Sequence, residues 1–209
     1  MGIINLGILG GFSGKVGPVV GGNWKGIDYM RGYVIPANPN TPSQQTQRTK
    51  FGAMVDIARS ILTTIIHTYW DPFAVEMSGF NRFIQANINL LDGSNQFDAD
   101  CVGSLGTLEP ITDLVGYYDD GTGETSVTWT QDVFGNGLLT DSIFFAAYNR
   151  ISGQLIATSI STTRDDETAV VTSPAGLSGN KIVCICFPFR GTGAEFTVAD
   201  SLVVYAGDV

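Results

Sequence analysis

Cysteine, histidine and charged residues are all scarce in this chain of 209 residues, and each shortage excludes a class of protein. Its three cysteines lack the spacing of a disulfide framework, which favours folding in a reducing compartment. No apolar run approaches about 18 residues, so we expect no membrane span. The first residues lack the basic start and the cleavage site of a secretory signal, and we expect none. A hydrophobic fraction of 44% with 15% charged residues instead predicts a packed core.

The charge is distributed unevenly along the chain. Residues 1–90 contain seven basic and four acidic residues, a net charge of +3, whereas residues 91–209 contain four basic and 16 acidic residues, a net charge of −12. The acidic half argues against a nucleic-acid partner, because phosphate binding requires clustered lysine and arginine. Two explanations stay open: the acidic residues keep the chain soluble, or the basic part of one copy docks on the acidic part of another.

The chain carries few of the patterns that accompany catalysis or cofactor binding. Its only histidine, His67, has no nucleophile motif such as G-x-S-x-G to serve, so we expect a structural role near the C-terminal carbonyls of a helix. The stretch GGFSGKVG at residues 10–17 lacks the hydroxyl residue that follows Gly-Lys in a phosphate loop. We therefore predict that the protein is not an enzyme, with no catalytic residue and no cofactor.

Metal binding has little support in the sequence. The C-x-C pair, Cys184 and Cys186, has no further cysteine or histidine partner nearby and is expected to lie in the core. The acidic turns at residues 119–124 and 165–167 do not match the EF-hand spacing. We expect solvated hairpin turns there, with calcium binding as the alternative, and no metal site.

Residues 1–40 are unusually rich in glycine: ten of the first 32 residues are glycine, interleaved with aliphatic and aromatic side chains. Neither a helix nor a regular strand suits this composition, because glycine loses more conformational entropy on folding than any other residue. We therefore expect an extended Gly-rich arm. Its apolar side chains would pack either on the rest of its own chain or on a neighbouring copy.

Residues 41–92 have the pattern of a helical hairpin. A first helix is predicted over 41–69, with Thr41 as its N-cap and Pro42 at its first position. A second, shorter helix is expected to begin after Ser78. The apolar side chains of the first helix recur at spacings of three and four, as one stripe. They are Phe51, Met54, Val55, Ala58, Ile61, Leu62, Ile65, Ile66 and Tyr69.

Residues 105–209 consist of short apolar runs separated by turns, and about seven strands at this spacing are typical of an antiparallel β-sandwich of immunoglobulin-like type. Trp129 is expected in its core. With the arm and the helical hairpin, the sandwich completes an α+β fold. The candidate strands are 111–118, 125–131, 141–149, 154–162, 168–173, 181–189 and 196–206.

Short motifs occur in order along nearly the whole chain. They are Gly14-Lys15-Val16-Gly17, Trp24-Lys25-Gly26, Arg31, Pro42, Phe51, Val127-Thr128-Trp129, Thr163-Arg164-Asp165 and the final strand Asp200–Tyr205. With these motifs the chain resembles a family of uncharacterised bacterial and phage-encoded proteins, which begin with GKVG…WKG…R and end in an immunoglobulin-like module. The resemblance implies the fold and brings no catalytic residues with it.

The sequence therefore predicts a non-enzymatic structural protein that self-assembles through its N-terminal arm as a component of a phage virion, made in the host cytoplasm. Its expected partners are other copies of itself and other structural proteins. The alternative is a carbohydrate- or protein-binding module on a bacterial cell surface, which would need an export route without a recognisable signal. The residues expected at the assembly interface are Phe12, Lys15, Val19, Val20, Trp24, Lys25 and Arg31.

Overall fold

The protein is an α+β structure in which strands predominate, and it divides into two units, residues 1–42 and residues 43–209. The structure is a computed structural model. It describes residues 2–3, 12–35, 37–177, 181–191 and 196–208. The first part of the predicted arm, residues 4–11, lies outside the described residues.

A four-stranded antiparallel sheet forms the first unit, with the strand order β1-β4-β3-β2. Regular strands therefore occupy more than half of the described residues in the segment that was expected to be an extended arm. The strands are β1 (Gly2–Ile3), β2 (Gly14–Val16), β3 (Val19–Trp24) and β4 (Ile27–Gly32).

Two aromatic rings explain how glycine-rich segments form strands here. A Cβ atom on Gly21 would lie 2.6 Å from the Phe12 ring, and one on Gly22 would lie 3.0 Å from the Tyr29 hydroxyl oxygen. The rings thus fill the space above the two glycines, an arrangement that stabilises glycine in strands. The expectation that glycine-rich segments would not form regular strands was wrong, because contacts with these rings stabilise the strands.

The turn between β3 and β4 explains the Trp24-Lys25-Gly26 motif. Lys25 and Gly26 both have positive φ angles, 49° and 80°, as a type I′ hairpin turn requires of its two central residues. The side chain of Asn23 accepts a hydrogen bond from the Gly26 amide at 3.2 Å and donates one to Asp28 at 2.7 Å. The motif therefore encodes a tight two-residue hairpin turn.

The predicted helix over 41–69 is helical almost throughout, but it is not uniform. It comprises α1 (Pro42–Ser60), a π-helical turn (Leu62–Ile66) and α2 (His67–Tyr69). At the interruption the amides of Ile65 and Ile66 both donate to the Ile61 carbonyl, at 2.9 and 3.2 Å.

The apolar stripe is buried from Met54 onward, as predicted, with Val55 and Leu62 only half-buried. Phe51 is the exception, since half of its side-chain surface is exposed. Phe51 fits the spacing of the stripe, but its prediction as a buried residue was wrong. It lies in the first half of α1, where most residues before Ala53 are exposed.

The second predicted helix is α3 (Gly79–Asn87), and the Ser78 hydroxyl caps it by accepting a hydrogen bond from the Asn81 amide at 3.3 Å. The side chain of Asn87 at its other end is fully buried and bonded to the backbone of Val102 at 2.6 and 2.9 Å. Within the described part of the chain, no helix has the length and apolar character needed to cross a membrane.

An eight-stranded sheet follows, in the order β8-β7-β10-β12-β5-β6-β9, with β11 paired to β10. It curls into a nearly closed, barrel-like sandwich, because its end strands β8 and β9 lie against each other. Every predicted strand is present, and the last is divided into β11 and β12. The prediction of a wholly antiparallel sheet was wrong, because β12 pairs with β5 in parallel. The strands are β5 (Thr112–Asp119), β6 (Glu124–Thr130), β7 (Ser142–Asn149), β8 (Gln154–Thr163), β9 (Thr168–Thr172), β10 (Ile182–Arg190), β11 (Thr197–Val198) and β12 (Leu202–Asp208).

Two hydrophobic clusters hold the second unit together, one on each face of β7 and β10. The helices pack on the outer face, where the rings of Phe144 and Phe187 contact Tyr69 of the helical stripe. The inner cluster lies between the two halves of the sandwich and contains Cys184 and Trp129, which confirms their predicted core positions. Burial of both faces explains why these two strands are almost continuously apolar in sequence.

Candidate functional site

One face of the N-terminal sheet combines basic and apolar side chains. Strand register pairs Lys15 with Val20, Val20 with Arg31 and Trp24 with Ile27. Because paired residues lie on the same face and side chains alternate along a strand, one face carries a common set of residues. We call it the basic face; it consists of Lys15, Val20, Gly22, Trp24, Ile27, Tyr29 and Arg31.

Four of the seven residues predicted for the assembly interface share the basic face, and the other three do not. Val19 lies on the opposite face of the sheet, and Phe12 is half-buried over Gly21 on that same opposite face. Lys25 occupies the hairpin turn, with its ammonium 5.0 Å from the centre of the Trp24 ring. The structure thus places Lys15, Val20, Trp24 and Arg31 together on one exposed face of the sheet.

The basic face is exposed and has one sign of charge. Trp24 is 64% exposed and Ile27 is 50% exposed, and none of the seven residues is acidic. Asp28, the acidic residue of β4, alternates to the opposite face and bonds with Asn23. An exposed apolar surface rimmed by basic groups is typical of a protein interaction site.

A different cluster of charges is buried where the loop between β6 and β7 meets the turn after β8. The side chains of Arg164 and Asp141 are both fully buried, 3.6 Å apart, and Arg190 donates to Asp141 at 2.5 Å. Arg164 also donates to the backbone carbonyls of Glu109 and Pro110, at 2.6 and 3.1 Å. These bonds tie several loops to one guanidinium, so the cluster has a structural role.

A second group of polar side chains lines an open pocket of about 530 Å³. There Arg150 forms an ion pair with Asp92 and donates a hydrogen bond to the Tyr205 hydroxyl, which itself donates to Asp98. Burial and the bond to Asp98 raise the pKa of Tyr205 to about 12, and the bond from Tyr205 lowers the pKa of Asp98. Arg150 and the two carboxylates are thus paired through this network, which joins the segment after α3 to β12.

The carboxylates of the acidic turns considered as calcium sites accept hydrogen bonds from the protein itself. Asp119 accepts hydrogen bonds from the amides of Gly121 and Thr122, and Asp120 accepts one from Gly176. Asp166 similarly caps the turn that begins after Thr163. In the described ranges, no group of three or more histidine, cysteine or acidic side chains is placed to hold a metal ion.

His67 has a different partner from the one expected. Its Nδ1 atom lies 2.7 Å from the Asp71 carboxylate, and both side chains are exposed. Asp71 also accepts a hydrogen bond from the Gly79 amide, and its pKa is lowered, first by the bond to His67. His67 lies in the last helical turn, as expected, but its hydrogen-bond partner is a carboxylate four residues later instead of the helix carbonyls.

Sequence reasoning missed two arginines, Arg164, which is buried, and Arg150, which is half-buried, because their partners are 23 to 58 residues away in sequence. For Arg164 one local signal existed, the Thr163-Arg164-Asp165 motif, but a motif alone does not indicate burial. Nothing in the local pattern distinguishes an arginine that is fully buried from one at the surface.

The fold and the charged surfaces define a β-rich α+β protein with an exposed basic face on a small N-terminal sheet. Residues 11–204 match a protein family of unknown function, DUF6266. The chain therefore belongs to the DUF6266 family. A search of curated proteins found no match.

Proposed function

We propose that this protein is a non-enzymatic structural protein whose copies assemble through the N-terminal sheet. The observation that carries the proposal is the basic face, which exposes Trp24 and Ile27 beside Lys15 and Arg31. Burying large apolar side chains contributes about 1.5–3 kcal/mol for each residue. Two or three such residues seated on a neighbouring copy would contribute several kcal/mol toward holding the copies together, and opposite charges would orient them.

The charge distribution favours a second copy as the partner. The basic face has no acidic residue, whereas residues 91–209 have a net charge of −12. Opposite charges steer association and fix the orientation of partners. Each copy therefore carries both basic and acidic residues, which allows opposite charges on two copies to face each other.

The C-terminal sandwich is, in this proposal, an immunoglobulin-like module. Its strand order supports the interpretation, because β9-β6-β5 and β12-β10-β7-β8 correspond to the immunoglobulin orders E-B-A and G-F-C-C′ when the strands are lettered along the chain. Such sandwiches present loops at both ends on a rigid scaffold, which suits a repeated structural component.

We further propose that the assembly is a phage virion, formed from chains made in the host cytoplasm. The support is the resemblance, through the GKVG and WKG motifs, to bacterial and phage-encoded proteins. In this sequence those motifs fall in β2 and in the hairpin turn of the N-terminal sheet. Other structural proteins of the particle are then further partners.

The proposal is tested by substituting residues on the basic face and comparing the result with substitutions on the opposite face of the same sheet. We expect the double variant Trp24→Ser, Arg31→Glu to weaken self-association by about tenfold or more, measured by sedimentation velocity across a concentration series. The matched control is Val16→Ser, Met30→Ser, which changes two exposed apolar residues on the opposite face. Equal assembly of the double variant and the control would rule out the basic face.

A further inference from the structure

The loop between β6 and β7, residues 131–141, exposes four large apolar side chains in a short segment. Outside the N-terminal unit, few short segments in the described part of the chain expose as many. We call the four residues the loop patch; they are Val133, Phe134, Leu138 and Leu139. Each is more than 40% exposed.

Hydrogen bonds hold the loop patch in one conformation. The Asn136 side chain accepts from the Glu109 amide at 2.9 Å and donates to the Thr107 carbonyl at 3.0 Å. Leu138 donates to the Asp141 carboxylate at 2.8 Å, and the Leu139 carbonyl accepts from Asp165 at 3.1 Å. The apolar side chains are therefore presented by a pre-organised loop, which lowers the entropic cost of binding.

Acidic side chains surround the loop patch. The Glu109 carboxylate lies against Gly135, where a Cβ would be 2.9 Å away. Asp165 accepts a hydrogen bond from Gln131, and Asp132 lies within the loop itself and accepts one from Thr112 at 3.0 Å.

The basic groups near the loop patch do not balance this charge. They are Arg164, which is buried, and Arg190, which is half-buried, and both are paired with Asp141. Counting Asp141, four carboxylates face two guanidinium groups. The surface around the loop patch is therefore apolar at its centre and acidic at its rim.

We infer that the loop patch is the surface on which the basic face of a second copy docks. The inference rests on the proposed function, and it identifies the surface of the second copy to which the basic face binds. The two surfaces are complementary: each has apolar side chains at its centre, and Lys15 and Arg31 on one match Glu109, Asp132 and Asp165 on the other. Complementary potentials of this kind orient partners and exclude wrong ones.

An interface between two different surfaces of the same chain is heterologous. Each copy then uses its basic face on one neighbour and its loop patch on the other, so the contact propagates into a ring or a filament. A pair of basic faces would instead bring like charges together, which disfavours a closed two-fold dimer through that face.

The first test is the double variant Phe134→Ser, Leu138→Ser in the full chain. We expect its self-association to weaken about tenfold or more, as for loss of central interface residues. The matched control is Val75→Ser, Met77→Ser, which changes two exposed apolar residues of the loop before α3. If the loop-patch variant folds and assembles like its control, the loop patch is not the acceptor.

A mixing experiment separates this inference from the proposed function. The basic-face variant Trp24→Ser, Arg31→Glu keeps an intact loop patch, and the loop-patch variant keeps an intact basic face. At a protein concentration at which each variant alone is monomeric, an equal mixture should form a dimer with one copy of each. Sedimentation velocity and native mass spectrometry of the mixture identify that species.

The possible outcomes of the mixing experiment have distinct meanings. A mixed dimer supports the pairing of the basic face with the loop patch. Monomers alone in the mixture overturn the pairing and leave the assembly role of the basic face standing. If the basic-face variant by itself remains fully assembled, the proposed function fails together with the inference.

Discussion

Replacing Asp141 with alanine is expected to lower the free energy of unfolding by about 3–5 kcal/mol, because it leaves a buried guanidinium without its counter-charge. The Arg164 side chain has no exposed surface, and Asp141 is its ion-pair partner at 3.6 Å. Burial lowers the pKa of Arg164, and the charge of Asp141 opposes that effect. At this chain length the loss corresponds to a fall in Tm of about 10 °C, measured by calorimetry.

An exposed ion pair provides the control for this experiment. Asp56 lies 3.6 Å from Arg59 on α1, and both side chains are more than 70% exposed. Exposed pairs contribute little to stability, so Asp56→Ala should leave the Tm almost unchanged. Equal melting of Asp141→Ala and Asp56→Ala would mean that the buried cluster does not stabilise the loops.

Replacing Ile61 with aspartate is expected to destabilise the second unit by several kcal/mol, because a carboxylate without a partner would enter the apolar core. Ile61 is 1% exposed. It lies in the cluster that joins the helices to β7 and β10. Urea unfolding followed by circular dichroism measures the loss.

The matched control is Phe51→Asp, ten residues earlier in α1, where the side chain is half-exposed. We expect it to cost less than about 1 kcal/mol, as for most surface substitutions. If Ile61→Asp melts within a degree or two of the unmodified chain, the helical stripe is not packed as described.

The elements with strong local signals were predictable from the sequence. Ser78 caps α3 as its position suggested, and the turns between apolar runs located the strands of the sandwich to within a few residues. Cys184 and Cys186 were placed in the core because side chains two apart on a strand share a face. These features depend on neighbours in sequence, so a single chain is enough to read them.

Features that depend on distant partners were not predictable in the same way. The strands around Gly21 and Gly22 are stabilised by the rings of Phe12 and Tyr29, and those contacts exist only once the sheet has formed. The turn at Lys25 and Gly26 was the available signal. A hairpin turn at Lys25 and Gly26 sets which residues of β3 and β4 pair with each other. Because side chains alternate along a strand, this pairing defines the residues of the basic face.

Assembly through the N-terminal segment is the central claim, and removing that segment tests it most directly. The measurement is sedimentation velocity of the full chain and of a chain lacking residues 2–35, with circular dichroism to monitor folding. We predict that the full chain sediments as an assembly and that the shortened chain is a folded monomer. A shortened chain that stays assembled would contradict the claim, and one that unfolds would indicate that the segment stabilises its own chain instead.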